Sequence, residues 1–113
     1  MPQLQNTDRI YWGRHENVSW QVYIILCSDD SLYTGITTDI ERRFAQHAGR
    51  AGANYFRGRR PKQLVYLESA HSRGTASRRE AAIKKLRRPD KQRLIRSEEN
   101  EINEYRLNNL SNS

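Results

Sequence analysis

Two tyrosines, Tyr23 and Tyr33, lie ten residues apart in the β-like runs VYIILC and LYTGI. The stretch that follows, TTDIERRFAQH, places Arg43 and His47 four residues apart, and SRREAAIKKL later carries Glu80. A guanidinium is a planar, permanent cation suited to binding anions. An imidazole exchanges protons near neutrality, whereas a phenol does so only near pH ~10 unless its surroundings help. A carboxylate on an inward helix face needs a cation beside it. Taken singly, each residue also has a purely structural explanation. Ala76, Glu80 and Ile83 recur at helical spacing, so Glu80 shares a stripe with core-facing residues. It could pair with a buried arginine, or stand third in a capping box begun by Ser77. Arg43 and His47 flank the stripe of Ile40 and Phe44, as a surface cation and a half-buried histidine also would. Tyrosines are favoured in strands in any case.

The elements that must position these groups read in the order ββαβαα. Residues 20–27 (WQVYIILC) are apolar and β-branched and end at the turn signal SDDS, which predicts a strand buried on both faces. Residues 32–36 form a second strand across a tight hairpin. Side chains alternate along a strand, so loop length decides whether the tyrosines share a face. A two-residue loop at Asp29 and Asp30 puts them on opposite faces. A three-residue loop from Asp29 to Ser31 pairs Ser28 with Leu32 and brings them together, and an odd-length connection is expected. Thr38 and Glu41 match a capping box opening a helix that Gly49 and Gly52 stop. A basic, aromatic loop (53–62) leads to a third strand (63–69). Gly74 precedes a second helix at about 75–87, and Pro89 starts a third. The expected class is α/β (α+β): a small three-stranded antiparallel sheet flanked by helices. Residues 1–19 read as an extension docking through Tyr11 and Trp12, residues 20–96 as the domain, and 97–113 as a polar tail, helical to about residue 107.

A chain of 113 residues fits one modest core. Twenty Lys and Arg against thirteen Asp and Glu give a net charge of +7, which makes a polyanion the leading partner class. The bland counterpart is a solubilising surface. The lone Cys27 permits no internal disulfide and no cysteine-rich zinc site. No signal peptide or apolar span is visible, so the expected location is cytoplasmic and no membrane partner is expected.

The ordered set resembles the GIY-YIG nuclease superfamily, most closely its small stand-alone bacterial members and more distantly the nuclease module of the UvrC excision-repair proteins. The resemblance covers residues 20–96. VYI (22–24) stands at the GIY position and YTG (33–35) at the YIG position. GITTDIERRFAQH is similar to the glycine, helix and arginine segment, and REAAIKKL supplies a helix-borne glutamate. Val22 replaces the first motif glycine. Ile36 stands where UvrC modules often carry a lysine, and His47 where they carry a tyrosine.

The resemblance implies a metal-dependent nuclease acting in DNA processing or repair, with Tyr23, Tyr33, Arg43, His47 and Glu80 as catalytic residues. Glu80 holds Mg2+ or Mn2+ in this reading, and Arg43 grips the phosphate. Tyr33 activates or positions the attacking water, His47 is the reserve proton acceptor, and Tyr23 orients the water or Tyr33. Gly35 leaves room for a backbone or phosphate to approach. Arg42, Tyr55, Arg57, Arg59, Arg60, Lys62, Lys84 and Lys85 form the expected nucleic-acid surface, with Tyr55 or Phe56 stacking on a base. The expected partner of a monomer is DNA, single-stranded or structured, with RNA also open. A non-catalytic nucleic-acid-binding module on the same fold is the alternative.

Overall fold

A computed structural model of the protein describes residues 19–49 and 52–111. The expected docking of Tyr11 and Trp12 lies outside them. Three antiparallel strands form one sheet: β1 (Trp20–Cys27), β2 (Leu32–Thr37) and β3 (Pro61–His71), in the order β2-β1-β3. The helices are α1 (Ile40–Ala48), α2 (Arg73–Lys84), α3 (Arg88–Ile95) and α4 (Ile102–Ser111). A single 3-10 turn (Asn54–Arg57) sits within the basic loop. The α+β sheet-and-helix class expected from the sequence is the one observed. β1 is central and covered on both faces, which is why its apolar run does not alternate. Tyr23, Ile25 and Cys27 pack on one side with Ile40, Phe56, Leu67 and Ile102. Val22 and Ile24 pack on the other with Tyr66, Ala76 and Ile83. Among the described residues no helix is long and apolar enough to cross a membrane.

The hairpin connection is odd in length, as expected, but sits one residue earlier. The loop is Ser28-Asp29-Asp30, and the Cys27 N–H donates to the Ser31 carbonyl at 2.9 Å. Asp30 takes φ 69, the left-handed residue that closes a three-residue hairpin and that aspartate tolerates. Ser28 therefore does not pair with Leu32. Leu32 faces Leu26, Tyr33 faces Ile25 and Gly35 faces Tyr23. The parity is preserved, so Tyr23 and Tyr33 share one sheet face.

Two helix starts differ from expectation. Asp39, not Thr38, caps α1: its carboxylate accepts the Arg42 N–H at 3.1 Å, while the Thr37 hydroxyl accepts the Asp39 N–H. A carboxylate also meets the positive end of the helix dipole, which a threonine cannot. In α2 the capping box belongs to Ser72 and Thr75. Its two reciprocal bonds outweigh the cost of about 1 kcal/mol for a helical glycine, so Gly74 lies inside the first turn. Ser77 is mid-helix and caps nothing.

β3 is longer than the pattern suggested, and a polar network ties α2 to it. Glu68 accepts hydrogen bonds from the Tyr66 hydroxyl at 2.6 Å and from Arg79 Nε at 3.1 Å, and lies 2.7 Å from His71 Nε2. Burial opposes ionisation of Glu68, but these bonds and the Arg79 charge hold its pKa below the usual value. Residues past 96 are tied down as well. The Asn100 side chain accepts the N–H groups of Leu67 and Ile102 and donates to the carbonyls of Val65 and Ile95. That four-way plug separates α3 from α4 and seats Ile102 in the core.

Candidate active site

Tyr23 arises from the central strand and Tyr33 from the edge strand β2, with ring centroids 6.2 Å apart. The tyrosine ring of Tyr23 lies across β2 at Gly35. A Cβ added to Gly35 would stand 2.5 Å from the Tyr23 hydroxyl oxygen. Gly35 therefore makes room for the phenol of its cross-strand neighbour, rather than for an incoming phosphate. Tyr23 is 1% exposed and cannot swing away. Gly35→Ala is thus expected to cost roughly 2–3 kcal/mol in urea unfolding. The cost should shrink when Tyr23→Leu removes the obstructing ring. An equal cost in both backgrounds would contradict this packing.

α1 returns His47 and Arg43 to the same face. His47 is 2% exposed. Its Nδ1 accepts the Ala53 N–H at 3.3 Å, so in the neutral ring the proton sits on Nε2 and is donated to the Tyr23 hydroxyl at 2.9 Å. Phe56 packs on the imidazole at 4.2 Å between centroids. Gly52 lies so close to His47 that a side chain there would collide with the ring and its backbone. Both ring nitrogens are occupied and solvent is excluded, so the geometry makes His47 a clamp on Tyr23. Burial, with the nearby charge of Arg43, pushes its pKa down to about 4.

This burial has a pH consequence. An unfolded histidine gains its proton below pH ~6.5, while folded His47 resists until about 4. Stability present at neutral pH is therefore lost as pH falls through that window, by roughly 3 kcal/mol in total. Urea unfolding at pH 7, 5.5 and 4.5 should show a steeper fall in the wild type than in His47→Gln. Parallel curves would contradict the assignment.

Arg43 is held by Gln46, whose side-chain oxygen accepts from Nη1 at 2.9 Å. The positive charge of Arg43 also opposes the rise in the Tyr23 pKa. Burial nonetheless raises Tyr23 to about 12, and burial raises Tyr33 as well. Lys84 and Arg43 pull Tyr33 down while Glu80 pushes it up. α2 packs on the sheet's other face, yet Glu80 and Lys84 thus stand close enough for their charges to act on Tyr33. Ala76 and Ile83 are buried, as the helical stripe predicted. Glu80 lies half-buried on the flank, and its partner is Lys84, not an arginine, at 3.1 Å.

The basic loop joins the site through its aromatics. Tyr55 packs on Tyr33 at 5.0 Å between centroids, and the Arg59 guanidinium lies over the Tyr55 ring, 4.0 Å from its centroid. Phe56 is buried in the core, so of the two stacking candidates only Tyr55 is accessible. Arg59 is turned back: Nε donates to Asp29 at 2.6 Å and Nη1 to the Tyr55 carbonyl at 3.0 Å. Asp29 is held at about 2 by the Ser31 hydroxyl and by Arg59. Arg57, Arg60 and Lys62 are exposed, as are Arg42 and Lys85. The sequence marks Gly52 only as a helix stop, not as the close neighbour of His47, and gives no sign of Gln46. Gln46 stands at i+3 from Arg43, a spacing that permits the contact without demanding it.

The family model described as the GIY-YIG catalytic domain matches residues 19–95. The chain belongs to the GIY-YIG family. The matched GIY-YIG segment contains both tyrosines, Arg43, His47 and Glu80. UPF0213 protein DP2720 of Desulfotalea psychrophila is 50% identical over 82 residues, covering 72% of this chain and 74% of that protein. UPF0213 protein HQ_3675A of Haloquadratum walsbyi is 53% identical over 73 residues, covering 65% and 82%. The solution NMR structure of UPF0213 protein BH0048 from Bacillus halodurans is 42% identical, with coverage of 71% and 85% and a TM-score of 0.47.

Among the described residues no group of three or more His, Cys, Asp and Glu side chains is arranged to hold a metal. Glu80 nonetheless fits a hard divalent cation of the magnesium type. Such ions are commonly held by one or two carboxylates, with water and substrate phosphate oxygens completing the shell.

Proposed function

We propose that this protein is a metal-dependent nuclease that hydrolyses DNA phosphodiester bonds, with single-stranded or structured DNA as substrate and modest sequence preference. The observation that carries this reading is the packing of Tyr23, Tyr33 and His47 on one sheet face, with the charges of Lys84, Arg43 and Glu80 acting on Tyr33, the accessible member of the tyrosine pair. Arg43, oriented by Gln46, grips a non-bridging phosphate oxygen. Tyr33 positions the attacking water in line with phosphorus. Tyr23, fixed by His47, orients Tyr33 and Arg43. His47 is a positioning residue here, because its buried ring reaches neither water nor substrate. Glu80 would hold Mg2+ or Mn2+, which supplies charge neutralisation at the phosphoryl and leaving oxygens. Lys84 must release Glu80 for that role.

Tyr55, Arg57, Arg60 and Lys62 form the adjoining strand-binding surface, with Tyr55 stacking a base and the cations meeting phosphates. Neutralising Arg57 and Arg60 together should weaken single-strand binding. It should also make the salt dependence shallower by about 0.7 in log–log slope per contact. The rate at saturating substrate should stay within about twofold, since neither residue meets the developing charge. A rate loss at saturation with unchanged affinity would place these arginines in the catalytic centre instead.

The substrate is tested with labelled single-stranded, duplex, flap and RNA molecules in magnesium or manganese. Cleavage of a DNA substrate is expected. Binding without cleavage of any of them would favour the non-catalytic alternative.

A further inference from the structure

The net charge of the protein is concentrated in one place. Ten of its twenty Lys and Arg, but only two of its thirteen Asp and Glu, lie between Arg73 and Arg96. That stretch, α2 with α3, carries a net +8, and all other residues together come to −1. The basic loop is therefore not the main source of positive field.

Some of these cations serve the fold. Arg79 is paired with Glu68 and Glu99, Lys84 with Glu80, and Arg93 with Asp90. Arg73 lies 5.5 Å over the Trp20 ring. Arg78, Lys85, Arg87, Arg88, Lys91 and Arg96 form no ion pair among the described residues. Lys85, Arg87 and Arg88 are exposed at the corner where α2 ends and α3 begins. Lys85 complements the negative end of α2. Arg87 and Arg88 do the reverse: they occupy the cap and first position of α3, where no side chain caps the helix. Positive charge is unfavourable at a helix N-terminus, where serine or aspartate would stabilise the helix instead. The fold alone gains nothing from arginines there.

The corner adjoins the candidate active site, because α2, which ends at Lys84, packs against β2, the strand that carries Tyr33. It contrasts with the loop around Tyr55 in one respect. No aromatic residue occurs from Arg73 to Arg96, so it offers no platform for unstacked bases. Single-strand surfaces combine cations with stacking aromatics, whereas a duplex hides its bases and presents phosphates alone. Leu86 is the exposed large hydrophobic residue of the corner. One leucine supplies little anchorage for a lipid surface.

We propose that the α2–α3 corner docks the phosphate backbone of a nucleic-acid duplex flanking the cleavage site, through Lys85, Arg87 and Arg88. The proposal rests on the nucleic-acid reading of the adjacent site. It adds that the substrate has a paired arm as well as the segment held at Tyr55.

The test is the triple variant Lys85→Gln, Arg87→Gln, Arg88→Gln, read by fluorescence anisotropy without metal. Probes are a blunt DNA duplex, a single strand of equal length, and vesicles with and without anionic lipid. Circular dichroism and urea unfolding verify the fold, and Arg87→Lys with Arg88→Lys, which keeps the charge, is the second variant. Duplex affinity should fall at least about tenfold at 0.1 M salt, with a log–log slope shallower by up to about 2.7. Single-strand affinity should change less than twofold, and the lysine variant should bind as the wild type does. Unchanged duplex affinity would overturn the proposal, as would equal losses for duplex and single strand. So would a loss confined to anionic vesicles. Because binding is read without cleavage, the outcome is separable from the nuclease reading. A wild type that binds duplex through this corner and cuts nothing would retain the proposal and remove the activity.

Discussion

Glu80→Gln should reduce the metal-dependent cleavage rate at saturating substrate by at least about 10³-fold, with binding and folding retained. The substitution keeps the shape of the side chain and removes its charge. Structurally it costs little, because among the described residues the charge it removes is paired only with Lys84, which is half-exposed. Such a pair contributes less than about 1 kcal/mol. The cost to catalysis is large because Glu80 is the carboxylate that would hold the metal. The measurement pairs single-turnover cleavage with anisotropy binding on the same preparation. A variant that cleaves at the wild-type rate removes Glu80 from the mechanism. Binding by the wild type with no cleavage to lose would instead describe a module that keeps the fold without the chemistry.

Arg43→Ala should lower the saturated rate by about 10²–10³-fold while leaving most of the affinity. Arg43 is oriented by Gln46 and its charge acts on both Tyr23 and Tyr33, so its guanidinium is preorganised beside the reacting position. Its loss removes charge where charge develops, and it also removes the planar fork that holds the phosphate. Arg43→Lys separates these effects. A lysine restores the charge but not the planar fork, so it should recover only part of the rate. Rate and affinity measured at matched ionic strength decide the matter. A loss of affinity alone would show that Arg43 belongs to the binding surface.

Much of this arrangement was legible in the sequence because it depends on local rules. The apolar run of β1 gives both bounds of the strand. The odd hairpin parity that puts Tyr23 and Tyr33 on one face follows from alternation alone. The helical stripe places Ala76 and Ile83 in the core and Glu80 beside them. The departures come where two local signals compete, or where a partner is distant in sequence. Asp39 outbids Thr38 as a cap because only a carboxylate also meets the helix dipole. Gly74 reads as a break, but the Ser72–Thr75 bonds start the helix before it. The role of Gly35 depends on the ring of Tyr23, twelve residues earlier and directly across the sheet. His47 passes for a proton acceptor until Ala53, Phe56 and Gly52 are seen to enclose it. The Asn100 plug joins positions more than thirty residues apart, which no periodicity encodes.

The central claim is hydrolysis of a phosphodiester at Tyr33 with water as the nucleophile. Single-turnover cleavage of a labelled DNA in water enriched in oxygen-18, with and without magnesium, tests it most directly. The account predicts cleavage only with the metal, one heavy oxygen in the terminal phosphate of the product, and no DNA attached to the protein. Cleavage that proceeds unchanged after chelation, or a covalent link between DNA and a tyrosine, would contradict it.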